Sequence, residues 1–297
     1  MGFLINDIPT SLIRRVVRKI LRQILVAIIQ LKYSVYNFFS RKKGITEKKR
    51  HTKIILSLTS YPSRIHLVYL TIESLLRQVV KPDKIYLWLS LEEFPDKKIP
   101  KKLERLKKRG LEVRFNKENL RSFKKLIPSL FYNPLDNIIT VDDDILYPTW
   151  FLQKMILEHK RQPKDVLCFR ANLIKIKEGN LEPYQTWMNY SQKIKRSKNL
   201  IPTGCSGIFY PSFSINQEVF NKKVYQTICN DADDIWFKAM TLLNGRYCQR
   251  IGDVNLKFLE IKGSQKEALF KSNVNKRKND EKAKSVFEKY KLIKLIN

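Results

Sequence analysis

The sequence is poor in the residues that build disulfide, zinc and histidine-metal sites. Its four cysteines are widely spaced and form no Cys-x-x-Cys pair, which favours a reduced, cytosolic chain without structural zinc. Only three histidines occur, and none forms a metal-binding pair. A metal site, if there is one, must therefore use oxygen ligands. The four cysteines are Cys168, Cys205, Cys229 and Cys248, and the three histidines are His51, His66 and His159.

Acidic residues are also scarce. The 297 residues include 58 Lys and Arg but only 28 Asp and Glu, which gives a formal net charge of +30. Such a balance suits nucleic acid, anionic lipid or phosphorylated substrates, although a compositional bias towards Lys, Asn and Ile is an alternative explanation. No zinc-finger, zipper or RNA-binding signature accompanies the charge, so nucleic acid is disfavoured as a partner.

No uncharged run in the first fifty residues is long enough to span a bilayer, and no cleavage site typical of a signal peptide follows. Residues 12–31 instead predict an amphipathic helix with a broad apolar face opposite a basic one, trailed by aromatics and a basic patch at 41–43. Residues 1–50 are thus predicted to lie on an anionic membrane surface, with the protein cytoplasmic and peripheral to the inner face of the membrane. The alternative is that the apolar face packs on the chain's own core or on a partner.

Strands and helices alternate through the body of the chain, residues 51–262. Strands are predicted near 53–60, 84–90, 111–115, 138–141 and 166–170, with helices between them. This alternation predicts an α/β fold with a mainly parallel sheet and helices on both of its faces. Over residues 171–203 the alternation of strands and helices is no longer recognisable. Residues 263–297 form a basic tail, predicted to be a mobile lid or a solvated helix.

Three consecutive aspartates, Asp142, Asp143 and Asp144, follow the apolar run 138–141. A strand of that kind ends at the carboxyl edge of a sheet, where α/β proteins bind ligands. On an extended backbone, Asp142 and Asp144 would point to the same side. Clustered carboxylates repel one another, so a divalent metal with oxygen ligands, which most often carries a diphosphate, is the natural partner. The alternative is a cluster that only caps the following helix.

Four segments together resemble a bacterial glycosyltransferase of the nucleotide-sugar-dependent GT-A type, a Rossmann-like fold. They are Thr-Ser-Tyr-Pro-Ser-Arg at 59–64, Val-Asp-Asp-Asp-Ile at 141–145, the glycine-flanked 204–207 and Ala-Asp-Asp-Ile-Trp at 232–236. The likeness covers about residues 53–260 and is nearest to family-two-like enzymes that build capsule or lipopolysaccharide glycans. It implies transfer of a sugar from a nucleotide-sugar donor to a glycan or lipid-linked acceptor, for surface polysaccharide synthesis.

The resemblance also implies roles for individual residues on the donor side. Asp142 would contact ribose or a metal-bound water, and Asp144 would ligate Mn²⁺ or Mg²⁺ that holds the diphosphate. Arg64 would pair with phosphate and Tyr61 would stack on the base, although Arg64 could also be a simple surface charge. Lys124 or Lys125 would reach the phosphates; the alternative is that both lie on a solvated helix face. Gly204 and Gly207 would let the backbone approach the donor sugar or the acceptor closely, and the alternative is that they only form a tight turn. The donor-binding set is Thr59, Tyr61, Arg64, Lys124, Lys125, Asp142, Asp143, Gly204 and Gly207, and the metal set is Asp142 and Asp144.

Asp233 and Asp234 lie where related inverting enzymes keep the general base, which takes a proton from the acceptor hydroxyl. Asp233 is favoured because Asp234 is the better helix cap. Trp187 and Trp236 could stack on sugars, but such aromatics more often belong to a core. The chain lacks the late histidine that completes the metal shell in some relatives. A metal-dependent phosphotransferase or nuclease that uses the same aspartates is the rival hypothesis, and a non-catalytic lipid-binding scaffold is a third.

Overall fold

The computed structural model describes residues 12–187, 194–264 and 278–296. The strands are β1 (Ile54–Thr59), β2 (Lys84–Ser90), β3 (Leu111–Asn116), β4 (Asn137–Thr140), β5 (Ile145–Leu146), β6 (Val166–Cys168), β7 (Ala171–Leu173), β8 (Ile176–Lys177), β9 (Asn180–Leu181), β10 (Arg196–Ser197), β11 (Leu200–Pro202), β12 (Ile208–Tyr210), β13 (Cys248–Arg250) and β14 (Leu259–Glu260). The helices are α1 (Leu12–Phe39), α2 (Val68–Leu76), α3 (Lys101–Lys107), α4 (Ile127–Tyr132), α5 (Phe151–Arg161), α6 (Tyr184–Trp187), α7 (Lys222–Ile228), α8 (Asp233–Leu243), α9 (Lys278–Lys289) and α10 (Ile293–Ile296).

Within these residues, eight strands form one mixed sheet in the order β10-β13-β6-β12-β4-β1-β2-β3. Strands β4, β1, β2 and β3 run parallel, and so do β6 and β13. Strand β12 is antiparallel to both of its neighbours, and β10 is antiparallel to β13. The predicted fold class, an α/β protein with a mainly parallel sheet flanked by helices, is confirmed.

The two faces of the sheet pack on separate hydrophobic cores because alternate side chains of each strand point to opposite faces. Ile55 of β1 belongs to the core beneath α4, α8 and α9, whereas its neighbour Leu56 belongs to the core beneath α2, α3 and α5. Trp187 and Trp236 are both fully buried in the first of these cores. Neither indole is therefore available to stack on a sugar.

Helix α1 lies against the second core through a narrow strip. Val26 is buried, the Ser34 and Tyr69 hydroxyls lie 2.7 Å apart, and the Asn37 side-chain amide donates to the Lys102 carbonyl at 3.0 Å. The predicted apolar face does not pack on the chain's own core. It stays exposed from Val16 onward. In the ranges described, no helix combines the length and the hydropathy that crossing a bilayer requires.

The described part of the C-terminal tail contributes to the first core. Ala283, Val286 and Phe287 of α9 are buried there, so this helix is not merely solvated. The lid was predicted for the tail as a whole, and residues 265–277 of that tail lie outside the described residues. The segment 171–203, which lacks a clear sequence rhythm, forms the short strands β7 to β11 and helix α6, with 188–193 also outside the description.

Candidate active site

The predicted site residues meet at the carboxyl ends of β1 and β4, which are parallel neighbours in the sheet. A cavity of about 850 Å³ opens at this edge. Parallel strands that end together bring residues distant in sequence to one place, as expected for ligand sites in open α/β sheets. The predicted residues that line the cavity are Thr59, Tyr61, Arg64, Lys124, Lys125, Asp142, Asp143, Asp144, Gly204, Asp233 and Asp234.

The aspartate triplet does not continue the strand. Strand β4 ends at Thr140, and residues 143–144 form a turn, so the expectation of an extended backbone was wrong. The turn is held by the Asp142 backbone N–H, which donates to the Tyr147 hydroxyl at 2.9 Å. Asp142 and Asp144 still line one cavity, but they contact different cations.

The first of these cations is Arg64. Its Nη1 lies 2.8 Å from Asp143 Oδ1 and 3.1 Å from Asp144 Oδ2. The Ser60 hydroxyl donates to Asp143 Oδ2 at 2.6 Å, and the Thr71 hydroxyl donates to the Asp143 carbonyl at 2.9 Å. Ser60, Arg64, Asp143 and Asp144 are called the Arg64 cluster below.

Asp143 acts within this cluster as the residue that fixes Arg64. Burial raises the pKa of Asp143, although the Arg64 charge and the Ser60 hydrogen bond oppose that rise. Both of its carboxylate oxygens are already engaged by Arg64 and Ser60. A direct donor contact, which was predicted for Asp143, would have to displace one of these partners.

The second cation is Lys125, whose Nζ lies 2.8 Å from Asp233 Oδ2 and 3.3 Å from Asp142 Oδ1. Burial alone would lower the pKa of Lys125, but Asp142, Asp233 and Asp234 together hold it well above its usual value. The ammonium therefore stays charged and joins the aspartate turn to the start of α8. Lys125, Asp142, Asp233 and Asp234 are called the Lys125 cluster.

Lys124 points elsewhere. Its Nζ lies 2.9 Å from Glu93 Oε2 and 2.9 Å from Asn119 Oδ1, and burial lowers its pKa. The adjacent lysines thus have different surroundings, although the sequence predicts the same role for either of them. Lys125 is the lysine that contacts the aspartates.

Asp234 is the least satisfied carboxylate of the Lys125 cluster. Its Oδ2 accepts the Gly204 backbone N–H at 3.2 Å, while its Oδ1 is buried without a hydrogen-bond partner among the described residues. Burial, together with the neighbouring Asp233 charge, raises the pKa of Asp234 to about 7, against the opposing effect of Lys125. The N-cap of α8 is Ala232, with no side-chain cap hydrogen bond. Helix capping therefore does not explain Asp234.

The two predicted glycines have different roles. A Cβ at Gly204 would lie 2.8 Å from Lys125 Nζ and 3.2 Å from Asp142 Oδ1, so this position must stay small for the Lys125 cluster to form. Gly207 does not line the cavity, and the donor-binding role predicted for it is not supported. Its φ of +80° and its close approach to the Phe151 ring make it a structural glycine.

Thr59 and Tyr61 lie at the mouth of the Arg64 cluster. The Thr59 hydroxyl donates to the Trp88 carbonyl at 2.8 Å, so its described contact is structural. The Tyr61 ring centre lies 5.4 Å from the Arg64 guanidinium carbon and is half-buried. Stacking of Tyr61 on a base remains a prediction.

The carboxylates fit a divalent cation with oxygen ligands. In the two clusters, five aspartates oppose only two cations, so carboxylates outnumber the cations that contact them. Asp142 has 29% of its side chain exposed. Among the described residues no three Asp, Glu, His or Cys gather into a metal-binding group. The protein would therefore supply one or two carboxylates, as is usual for Mg²⁺ that also binds a substrate phosphate.

Sequence reasoning missed three contributors to this site. Ser60 lies within the 59–64 turn and Tyr147 lies five residues after Asp142, so proximity in sequence could have suggested both. Strand β14 could not have been found, because it pairs with β5 across more than a hundred residues. The Ile261 N–H donates to the Asp144 carbonyl at 2.8 Å and brings 257–260 to the cavity.

No family model matches the sequence, and no curated protein matches it either. Among solved structures, the chain is similar to TarS 1-349 of S. aureus, with 14% identity, a TM-score of 0.42 and coverage of 68% of this chain but 59% of that one. It is also similar to the mannosyltransferase PcManGT from Pyrobaculum calidifontis in complex with GDP-Man and Mn²⁺, with 10% identity, a TM-score of 0.46 and coverage of 91% and 74%.

A third similar structure is the inositol-1-phosphate CTP transferase from T. maritima, with 14% identity, a TM-score of 0.41 and coverage of 84% and 98%. The identities and TM-scores are too low to carry the activity of any of these three proteins over to this chain. The fold described above rests on its own strand order, and the site rests on its own contacts.

Proposed function

We propose that the protein is a metal-dependent glycosyltransferase of GT-A type that moves a sugar from a nucleotide-sugar donor to a glycan or lipid-linked acceptor. The observation that carries this proposal is the pairing of two charged clusters in one cavity. The Arg64 cluster suits a leaving diphosphate, and the Lys125 cluster places a carboxylate of raised pKa beside it.

On the donor side, Arg64 presents a guanidinium fixed by Asp143, which suits the geometry of a phosphate oxygen. Asp142 and Asp144 would hold Mn²⁺ or Mg²⁺, which supplies positive charge for the diphosphate. Because Asp142 also contacts Lys125, donor binding and the second cluster share one residue.

On the acceptor side, we propose Asp234 rather than Asp233 as the general base. Asp233 is ion-paired with Lys125, whereas Asp234 Oδ1 has no hydrogen-bond partner in the described part of the chain and the pKa of Asp234 is raised to about 7. A base with a pKa near the working pH is effective in taking a proton from a hydroxyl. With the leaving group on the Arg64 side, attack from the Asp234 side would invert the anomeric centre.

The rival hypothesis of a metal-dependent phosphotransferase or nuclease has less support. Such enzymes commonly hold a second metal between their carboxylates. Between Asp142 and Asp233 the Lys125 ammonium already occupies that position. A role in surface polysaccharide synthesis and a location at the inner face of the membrane are part of the proposal, and the exposed apolar face of α1 supports the location.

The test is thermal stabilisation by a panel of nucleoside diphosphates with Mn²⁺, followed by release of nucleoside diphosphate from the corresponding nucleotide sugars. Selective stabilisation by one nucleotide, lost in Asp144→Ala while the apo melting temperature is kept, is the expected result. Stabilisation by none of the panel would contradict the donor assignment, and full turnover in Asp144→Ala would contradict the metal assignment.

A further inference from the structure

The outer side of α1 is a continuous apolar surface. Its members recur at spacings of three and four residues and therefore share one face of the helix. Each has at least about two-fifths of its side chain exposed, and the most exposed is Phe39 at 72%. This surface, called the α1 stripe, consists of Val16, Val17, Ile20, Leu21, Ile24, Ile28, Leu31, Val35, Phe38 and Phe39.

The α1 stripe faces outward because the opposite side of the helix is fixed to the domain. Besides the contacts of Ser34 and Asn37, the Arg77 guanidinium lies 3.6 Å from the centre of the Tyr36 ring. Helix α1 therefore packs on the rest of the domain through its polar side and a few buried residues. A folded protein rarely leaves such a large apolar surface without a partner.

The charges around the stripe identify that partner. Helix α1 contains no acidic residue, and the exposed Lys19 and Lys32 flank the stripe. At its C-terminal end, Arg105 of α3 lies 4.7 Å from the centre of the Phe38 ring, with Lys101 exposed one turn away. Apolar side chains flanked by cations complement an anionic bilayer. A second copy would instead bring like charges together.

Helix α1 also contacts a segment that lines the candidate active site. Arg22 of α1 donates from Nη2 to the Phe258 carbonyl at 3.2 Å. Lys257, Phe258 and Glu260 line the cavity, and this segment, residues 257–260, is called the cavity rim. A bilayer that covers the stripe would therefore lie within one helix diameter, about 10 Å, of the rim.

We infer that α1 and α3 dock the protein on an anionic bilayer with the cavity rim at the level of the headgroups, and that the acceptor is a membrane-embedded glycolipid rather than a soluble glycan. The acceptor part of this inference rests on the proposed function, but the docking part does not. The exposed Lys257 would then lie where an anionic headgroup can reach it.

The docking part is tested by sedimentation with phosphatidylcholine vesicles that contain or lack phosphatidylglycerol. Leu31→Glu should weaken binding at least about tenfold, because it places a charge in the stripe. Lys101→Gln should weaken it about fivefold, and only on anionic vesicles. Phe131→Glu is the matched control: Phe131 is 66% exposed, Leu31 is 68% exposed, and α4 lies on the other face of the sheet.

Unchanged binding of Leu31→Glu would overturn the docking surface. So would a wild-type dimer in solution that Leu31→Glu converts to a monomer, because the stripe would then bind a second copy. Equal losses in Leu31→Glu and Phe131→Glu would overturn it as well, because membrane binding would not be specific to α1.

The position of the rim is tested with the photoreactive residue p-benzoylphenylalanine, introduced at Lys257, at Phe39 or at Phe131. Irradiation on anionic vesicles should crosslink lipid at Phe39 and Lys257 but not at Phe131. Crosslinks at Phe39 alone would overturn the rim placement. Thermal stabilisation of the protein by nucleoside diphosphates is measured without vesicles. If it is kept while vesicle binding or crosslinking fails, the docking is wrong; if it is absent while docking succeeds, the proposed function is wrong.

The acceptor is tested with radiolabelled nucleotide sugars and a membrane lipid extract of the host cell. Label recovered in the organic phase is expected. Label recovered only in water-soluble glycan, from protein that sediments normally with vesicles, would overturn the glycolipid acceptor while leaving both the docking and the transfer activity standing.

Discussion

The two charged clusters of the cavity differ in how completely their carboxylates are satisfied. In the Arg64 cluster, both oxygens of Asp143 are engaged and its carbonyl accepts a hydroxyl as well. In the Lys125 cluster, a single ammonium serves Asp142 and Asp233, and one oxygen of Asp234 has no hydrogen-bond partner among the residues that the structure describes. Buried polar groups are normally paired, so this oxygen, in a cavity and on a carboxylate of raised pKa, is a candidate for function. We therefore expect the first cluster to keep its shape and the second to carry the proposed chemistry.

The largest expected effect is the loss of transfer in Asp234→Asn. If Asp234 is the general base, kcat should fall about 10²–10⁴-fold while donor binding is kept. Asp233→Asn, which is the same change one residue away, should lower kcat much less. Steady-state kinetics on both variants make this comparison, and the opposite ranking would return the base to Asp233.

The next effect concerns the two adjacent lysines. Lys125→Met should lower kcat about 100-fold, because it removes the cation that organises three aspartates in a buried site. Lys124→Met should have a much smaller effect on kcat, because Lys124 contacts Glu93 and Asn119 instead. Equal losses in the two variants would show that Lys125 has no special role. Circular dichroism provides the check on folding.

A smaller effect is expected from Arg64→Lys. Lysine keeps the positive charge but not the planar guanidinium, so affinity for nucleoside diphosphate should fall about tenfold with little change in kcat. Isothermal titration calorimetry with Mn²⁺ measures the affinity. A drop in kcat with unchanged affinity would move Arg64 from donor binding to the chemical step.

The smallest effect is a shift in pH dependence. A base must be ionised, so kcat/KM should rise with pH through the Asp234 pKa of about 7. Asp233 raises that pKa and Lys125 lowers it. The acidic limb of the profile should therefore move to lower pH in Asp233→Asn, by about one pH unit. Movement in the other direction, or none, would contradict the assignment of the limb to Asp234.

Much of this architecture follows from local sequence pattern. Apolar runs such as 54–59 and 84–90 predicted buried parallel strands, and the structure has them there. The resemblance to GT-A glycosyltransferases, and not the strand pattern, predicts one site for the two aspartate groups, because Asp233 and Asp234 begin helix α8 and do not follow a strand. The turn at 143–144 could not be predicted, because its geometry is set by Tyr147 and by β14, a strand more than a hundred residues away.

Side-chain direction was the other limit of the sequence. Lys124 and Lys125 are equivalent by pattern, and only the packing of residues 121–125 separates them. The α1 periodicity located the apolar face correctly but not its surroundings, because an amphipathic helix can turn either face to a domain. The polar contacts of Ser34 and Asn37 help to fix which face of α1 turns towards the domain, and hydrophobic periodicity does not predict such contacts.

Gly204 gives the site a size requirement that its hydrogen bonds do not reveal. A methyl group there would lie 2.8 Å from the Lys125 ammonium, which would have to move relative to Asp142 and Asp233 to make room. Gly204→Ala should therefore lower activity by disturbing the Lys125 cluster, and larger residues should lower it more. Libraries that aim to change the specificity of the proposed transfer should leave position 204 fixed and vary Lys257, the exposed residue of the cavity rim.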